Sequence, residues 1–301
     1  MNVSTNPVQS LKQIAVIGTG LLGASVGLGL KKAGYNGRIV GVSRKPQTLS
    51  AAQQVGGIDE GIYDVTNAAA GADLLIVATP LSAFDGVMQK ISEAGNDNLI
   101  ITDVGSTKSS VVSFARQHLT PDQFARFVPA HPMAGSEQQG PEGATADLFH
   151  GKPCILTPDA QTNAHALELV SRLWSLLGMK LLHMTPQEHD EKCALVSHLP
   201  HIASVLLAAC AKEKGGTEVA STGFRDTTRL SASNPTIRAD IIDQNREAIL
   251  AAMDIFESQL SQLRSAIASG DNDAVRQMLD DAKIFRDQWA DDFKRAQSQE
   301  R

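Results

Sequence analysis

Three cysteines among 301 residues are too few and too scattered to staple a fold. Cys154, Cys193 and Cys210 are odd in number and form no C-x-x-C pair. That excludes a disulfide framework and fits thiols kept reduced in a cytosol. Basic residues are also in short supply: 27 Lys and Arg stand against 33 Asp and Glu, for a formal net charge of −6. Without an overall basic excess, a general binder of nucleic acid or of anionic membranes is excluded. The first ten residues, MNVSTNPVQS, have no apolar core, so residues 1–11 read as a disordered tail and not as a signal peptide. No run of about eighteen apolar residues occurs, and no membrane span is expected. Repeats of solenoid period and low-complexity tracts are missing too. What is left is an ordinary globular composition, 42% hydrophobic and 20% charged, long enough for one large domain or two of common size.

The first half alternates buried-strand and helix patterns. Gln13–Ile17 reads QIAVI, an apolar run suited to a strand covered on both faces. It leads directly into GTGLLG and then into a helix-like stretch ending near Gly34. In such a strand–turn–helix, Gly18 permits the tight turn, Gly20 lets the backbone approach a pyrophosphate, and Gly23 lets the helix pack on the strand. The amides at Leu21 and Leu22 then open a helix whose N-terminus faces the phosphates. A lone G-x-G-x-x-G is weak evidence, but here both flanks are right.

The next strand, RIVGVSR, ends where such folds choose their dinucleotide. An acidic residue there would hold a 2′-hydroxyl. Ser43, Arg44 and Lys45 stand there instead, two cations and a hydroxyl suited to a 2′-phosphate. NADP is therefore expected over NAD. Further strands run through ADLLIVATP, whose Thr79 and Pro80 end at the same sheet edge, and through NLIITDVGSTKSSVV, whose turn carries Asp103, Ser106 and Lys108. The stretch RFVPAHPMAG then brings His131 to that edge. Lys152–Pro158, a helix over Asn163–Leu177 and Lys180–Thr185 make a last β unit. This alternation predicts an α/β, Rossmann-type, doubly wound and mainly parallel sheet over residues 12–185.

After Pro186 the β pattern stops, and residues 186–296 read as an all-helical domain. One long helix is expected from Pro186 to Lys214, interrupted near Pro200. Another is read from Thr236, with apolar residues recurring at helical spacing through Ile267, roughly 45 Å long. One small domain cannot cover such a stripe, so a second copy is expected to, giving a homodimer. Gly270 ends that helix, and Asp271 or Asn272 can cap a last one reaching Phe293. His198 and His201, in SHLPH, could be metal ligands by spacing, but no third ligand is evident and none of the zinc signatures occurs.

GTGLLG, DVGSTK, HPMAGSE, SHLPH and GFRDTTR, in this order, resemble the prephenate and arogenate dehydrogenases of tyrosine biosynthesis over nearly the whole chain, roughly Lys12 to Trp289. HPMAGSE with GFRDTTR is far more specific than the glycine motif. The thiols and the polar start of the chain point to the cytoplasm, and the resemblance implies an enzyme that oxidises the C4 hydroxyl of a cyclohexadienol by hydride transfer to a nicotinamide, with loss of the C1 carboxylate as CO2. By motif position, His131 would take the hydroxyl proton and Ser106 would orient that hydroxyl and the histidine. Arg229 would hold a substrate carboxylate. Glu137 and Asp226 would gate the pocket near that arginine, and His198 or His201 would line it; Arg225 and Arg238 gather with Arg229 to favour an anionic substrate. The dinucleotide contacts expected are Gly18, Gly20, Leu21, Leu22, Gly23, Ser43, Arg44, Lys45, Thr79, Pro80 and Asp103. Two rivals remain. One is a β-hydroxyacid or 6-phosphogluconate type dehydrogenase, whose catalytic lysine would have to be Lys192. The other is an NADP-binding sensor without turnover.

Overall fold

The computed structural model describes residues 6–135 and 138–298, with side chains to residue 295. Six strands form one parallel sheet: β1 (Gln13–Ile17), β2 (Arg38–Val42), β3 (Glu60–Ile62), β4 (Leu74–Val77), β5 (Ile100–Asp103) and β6 (Phe127–Val128). Their spatial order is β3-β2-β1-β4-β5-β6, the doubly wound arrangement expected, with the order reversing between β1 and β4. Helices α1 (Leu21–Lys32), α2 (Pro46–Gln54), α3 (Val65–Gly71), α4 (Phe84–Ser92), α5 (Ser109–His118) and α6 (Pro121–Ala125) fill the crossovers. The central strands are apolar on both faces because helices cover both, and each face has its own core. The carboxyl ends are held level: the Gly18 amide donates to the Val42 carbonyl (2.8 Å), Ala78 to Ile17 (2.7 Å) and Val104 to Val77 (3.0 Å).

The chain then leaves this sheet at Pro129. β7 (Ala130–Pro132) pairs antiparallel with β8 (Pro153–Leu156), which pairs parallel with β9 (Lys180–His183) across helix α7 (Ala164–Leu176). His131 thus lies within a strand of a second, three-stranded sheet and not in a turn after a parallel strand. Pro129 has no amide to offer a ladder, which suits the point where the chain changes sheets.

A capping box opens α8 (Pro186–Cys193): Thr185 and Glu188 exchange side-chain and backbone hydrogen bonds, with Pro186 at the first helical position. A π-helical turn, Ala194–His198, joins α8 without a break to α9 (Leu199–Lys214). Pro200 cannot donate to the residue four back, and the wider turn accommodates it. The interruption expected there is therefore a change of phase in a continuous helix. His189 and His198, nine apart, would sit about 180° from each other on an unbroken helix; one inserted residue removes about 100° of that. Both are buried.

The expected helix across residues 236–267 is in fact two. After α10 (Thr222–Thr228) come α11 (Pro235–Gln244) and α12 (Arg246–Ser269), with Asn245 ending α11 in a non-helical conformation between them. Asn245 is buried and its amide is spent on Asp190 and His198, so a polar anchor breaks the helix that the apolar spacing implied. α13 (Asn272–Ser298) is opened by Asp271, whose carboxylate accepts from the Ala274 amide (3.0 Å).

Two compact units result, Met1–Arg246 and Glu247–Arg301. The second comprises most of α12 and all of α13, and exposes Ile255, Phe256, Leu260, Phe285 and Trp289. Two expectations need correction. Part of the presumed tail is ordered: Pro7–Ser10 forms a short 3-10 helix, Val8 is fully buried and the Gln9 amide donates to the Ala33 carbonyl (3.0 Å). Val8 joins the core, and the Gln9 bond ties the segment to the end of α1. By length and composition alone, the Pro186–Lys214 helix also holds an 18-residue stretch apolar enough to cross a bilayer, with a mean hydropathy of 1.7. The expectation of no such helix missed it because His198, Ser197 and Pro200 interrupt the apolar run without lowering its mean enough.

Candidate active site

At the carboxyl edge, the turn after β1 is shaped for a phosphate. Gly18 has φ +99°, and a Cβ there would lie 2.5 Å from the Ala78 carbonyl oxygen, so only glycine fits. Gly20, the residue before α1, faces open space: an added Cβ meets nothing within 4 Å. The first amides of α1, Leu21 to Gly23, have no partner inside the helix. Their side chains do other work, as Leu21 and Leu22 pack on the core. Beside this turn, the Thr79 hydroxyl is buried without a hydrogen-bond partner, and Pro80 is exposed. An open backbone cradle, free helix amides and an orphaned hydroxyl together fit a dinucleotide pyrophosphate. At the end of β2, Ser43 is half-buried and its hydroxyl accepts from the Lys45 amide (3.2 Å), while Arg44 and Lys45 are exposed.

Asp103 has a different role from the cofactor contact expected of it. It is fully buried and ion-paired to the equally buried Lys108. Its other bonds are to the amides of Gly105 (2.7 Å) and Ala130 (2.9 Å), and Lys108 Nζ donates to the Ala130 carbonyl (2.7 Å). The ion pair therefore holds both backbone groups of Ala130, the residue before His131.

His131 is 8% exposed, and its Nδ1 lies 2.8 Å from Nε2 of His189. Nδ1 of His189 lies 2.8 Å from Oδ1 of Asp190. The Asp190 carboxylate also accepts from the amides of Lys108 (2.7 Å) and Ser109 (2.8 Å), at the N-terminus of α5. Burial pushes the Asp190 pKa up, but the hydrogen bond from His189 and these amides outweigh it and hold the carboxyl below its usual range. An ionised carboxylate only accepts. His189 must then donate from Nδ1 and keep a lone pair on Nε2. His131 must donate from Nδ1, which leaves its own Nε2 as a free lone pair. Burial, then the neighbouring His189, Lys108 and His198, hold the His131 pKa well below the ordinary histidine value. The arrangement can do one thing directly: accept a proton at Nε2 of a neutral imidazole and share the resulting charge along His189 towards Asp190.

His131, His189 and Cys193 also place three metal-type ligand atoms within 4.8 Å of one another. Burial, then Asp190, pushes the Cys193 thiol up to about 12, so it is a thiol 3.4 Å from His189 Nε2, and the set reads as a hydrogen-bond network. His189 and Asp190 escaped the sequence reading. The signal available was an His-Asp pair with Cys193 one turn on, the same buried face of a helix whose other residues are charged.

The remaining expectations divide. His198 is buried, its Nδ1 accepting from the Asn245 amide (3.1 Å), and burial followed by Arg238 lowers its pKa to about 4. His201 donates from Nδ1 to the Leu230 carbonyl (3.2 Å); burial, then Arg238 and Arg229, lower it. These two histidines and Arg229 thus belong to one neighbourhood. Ser106 is half-buried in the β5–α5 turn, but among the described residues it makes no hydrogen bond to His131; His189 orients the ring instead. Arg225 and Asp226 are exposed and bonded to each other (2.9 Å), which in this conformation satisfies them away from the site. Glu137 lies outside the described residues.

Residues 26–183 match the family described as the prephenate dehydrogenase nucleotide-binding domain, and residues 185–281 match the prephenate dehydrogenase dimerization domain. The chain is 34% identical to a cyclohexadienyl dehydrogenase of Zymomonas mobilis, covering 91% of this chain and 95% of that one. It is 32% identical to a prephenate dehydrogenase of Bacillus subtilis, covering 91% and 75%. Among solved structures, a prephenate dehydrogenase of Aquifex aeolicus with hydroxyphenyl propionate and NAD+ superposes with a TM-score of 0.86, at 30% identity, over 93% of this chain and 98% of that one. A Synechocystis arogenate dehydrogenase gives 0.78 at 31% identity, over 92% and 99%.

Proposed function

The chain belongs to the prephenate dehydrogenase family, and on that footing we propose that His131 is the base of an oxidative decarboxylation of prephenate, arogenate or both. The chain is an oxidoreductase of tyrosine biosynthesis. The observation that carries the residue assignment is the His131–His189–Asp190 chain, which leaves Nε2 of a buried neutral imidazole free.

A nicotinamide dinucleotide, when bound, supplies the hydride acceptor; Gly18, Gly20, the α1 amides and Thr79 would hold it. The C4 hydroxyl gives its proton to His131 Nε2 as C4 loses a hydride. The bond from C1 to its carboxylate breaks, CO2 leaves, and the electron pair enters the ring, which becomes aromatic. Aromatisation supplies much of the driving force, so the protein has mainly to position groups and take one proton. Arg229 would hold a substrate carboxylate, with His198 and His201 lining the same pocket. Ser106, on the turn beside Lys108, would meet the hydroxyl.

Three finer readings belong to this proposal. NADP is preferred, supported by Ser43 and the exposed Arg44 and Lys45 with no carboxylate among them. A homodimer forms, supported by the large exposed apolar side chains of residues 247–295 and by the dimerization family matched over residues 185–281. The cytosol is the working compartment, supported by three thiols without a bridge. Of the rivals, the lysine-based dehydrogenase loses its catalyst, because Lys192 is exposed to solvent. The sensor reading does not account for an intact base relay.

The test is an initial-rate grid of prephenate or arogenate, each with NAD or NADP. Turnover in any cell upholds the reaction, and the fastest cell names substrate and cofactor. No turnover in a folded, dinucleotide-bound protein would sink the proposal.

A further inference from the structure

Arg238 has a guanidinium with an Nε that is buried and has no hydrogen-bond partner. No carboxylate among the described residues pairs with it. A buried donor left unpaired is costly in a folded chain and points to a missing partner. Its place in the fold says where that partner would be. Arg238 sits on α11, whose Ile241 is part of the core on one face of the main sheet. The next acidic residue, Asp240, accepts from the Ser82 hydroxyl (2.6 Å), just beyond Thr79 and Pro80. At the start of the same helix, the Asn234 amide donates to Gln139 (3.0 Å), in the segment following β7. α11 is thus tied at its start to the segment after β7 and at its middle to the segment after β4, on either side of Arg238. The charge of Arg238 lowers the pKa of both His198 and His201, so the guanidinium lies near both rings. The neighbouring donors agree in sign. The Asn245 amide nitrogen also donates to the Asp190 carbonyl (2.9 Å), which fixes its orientation; His198 therefore accepts at Nδ1 and carries its hydrogen on Nε2.

We propose that Arg238 is a substrate-binding residue that grips the carboxylate kept in the product, the one on the side chain of prephenate or arogenate. This rests on the substrate class proposed above. Two carboxylates are available, and they make opposite demands. The ring carboxylate must lose its charge as CO2 departs, so a desolvated cation on it would stabilise the ground state more than the transition state and slow the reaction. The side-chain carboxylate keeps its charge throughout, so a strong, water-poor clamp on it costs nothing in the chemical step. Arg238 is the half-buried guanidinium, and Arg229 the exposed one. The planar fork suits a carboxylate in two-point contact.

The experiment compares wild type with Arg238→Met and Arg238→Lys, as full-length protein saturated with dinucleotide. The probe is 3-(4-hydroxyphenyl)propionate, which carries only a side-chain carboxylate, titrated by calorimetry. The Kd is expected to rise tenfold or more in Arg238→Met and about threefold in Arg238→Lys, which keeps the charge but loses the fork. Dinucleotide Kd should stay within twofold. In turnover, KM for the active substrate should rise in parallel, with kcat changed less than KM. A probe Kd within twofold of wild type in both variants would overturn the assignment, as would a wild type that does not bind the probe. A raised KM with unchanged probe Kd would move Arg238 to the ring carboxylate and also overturn it. If Arg238→Met does not fold, Arg238→Lys carries the same comparison on the smaller scale. A wild type that binds the probe through Arg238 yet turns over neither substrate would refute the reaction and leave this site standing.

Discussion

The α8 segment and the segment 221–232 both supply residues to the candidate site, yet they are built oppositely. In α8, His189 and Asp190 are buried and every donor and acceptor is matched, to β7 on one side and to the N-terminus of α5 on the other. In segment 221–232 no residue is buried, and Arg225 and Asp226 bond each other at the surface. Proton transfer needs one lone pair aimed in advance, and burial locks it. Carboxylate capture needs charge that a substrate can reach from water. The proposed base is therefore fixed in the interior, and the proposed clamp Arg229 stands at the surface.

Breaking the buried side should cost most. His131→Asn removes the lone pair at Nε2, and kcat is expected to fall about 10²–10⁴-fold with dinucleotide binding unchanged; near-normal turnover would show that the base lies elsewhere. Asp190→Asn keeps the shape but loses one charge-assisted bond to His189, worth about 1.5–3 kcal/mol, so kcat should fall roughly tenfold to a hundredfold. Steady-state kinetics at saturating dinucleotide would read it, and an unchanged kcat would reduce the relay to packing. On the open side, Arg229→Ala should raise KM for the substrate by roughly tenfold, a smaller effect because water competes for an exposed pair. A KM that does not move would take Arg229 out of the site.

The smallest effect should come from pH. Burial and the nearby His189, Lys108 and His198 hold His131 well below the usual value, so the base is lost only when pH falls through that depressed value. Between pH 7.5 and 6, kcat/KM should change by less than about twofold, whereas a histidine with the ordinary pKa of about 6.5 would lose about fourfold at the acid end. A fourfold fall over that range would contradict the buried relay.

Much of this was legible in the residues themselves. The QIAVI–GTGLLG succession is local: a buried strand, a turn with a positive φ at Gly18 and a helix N-terminus are all encoded within a dozen neighbours. The same holds for the Thr185–Glu188 capping box and for the Asp271 cap. Helical spacing from Thr236 was legible too, but it could not show that Asn245 stops the helix, because what stops it is a bond to Asp190, 55 residues away. Nor could spacing show that Asp103 faces Lys108 and the Ala130 peptide and not a ligand.

The sequence by itself determined the class of the fold and the dinucleotide turn, and it singled out His131 as the candidate proton acceptor, because each is written in short-range pattern or in one specific motif. Only the tertiary structure decided that His131 stands on a strand of a second sheet, which tautomer it holds, and that His189, Asp190 and Lys108 hold it there. These depend on contacts between residues as much as 82 apart. A hydrogen bond's direction follows from which groups burial brings together, and that information exists only once the chain has folded.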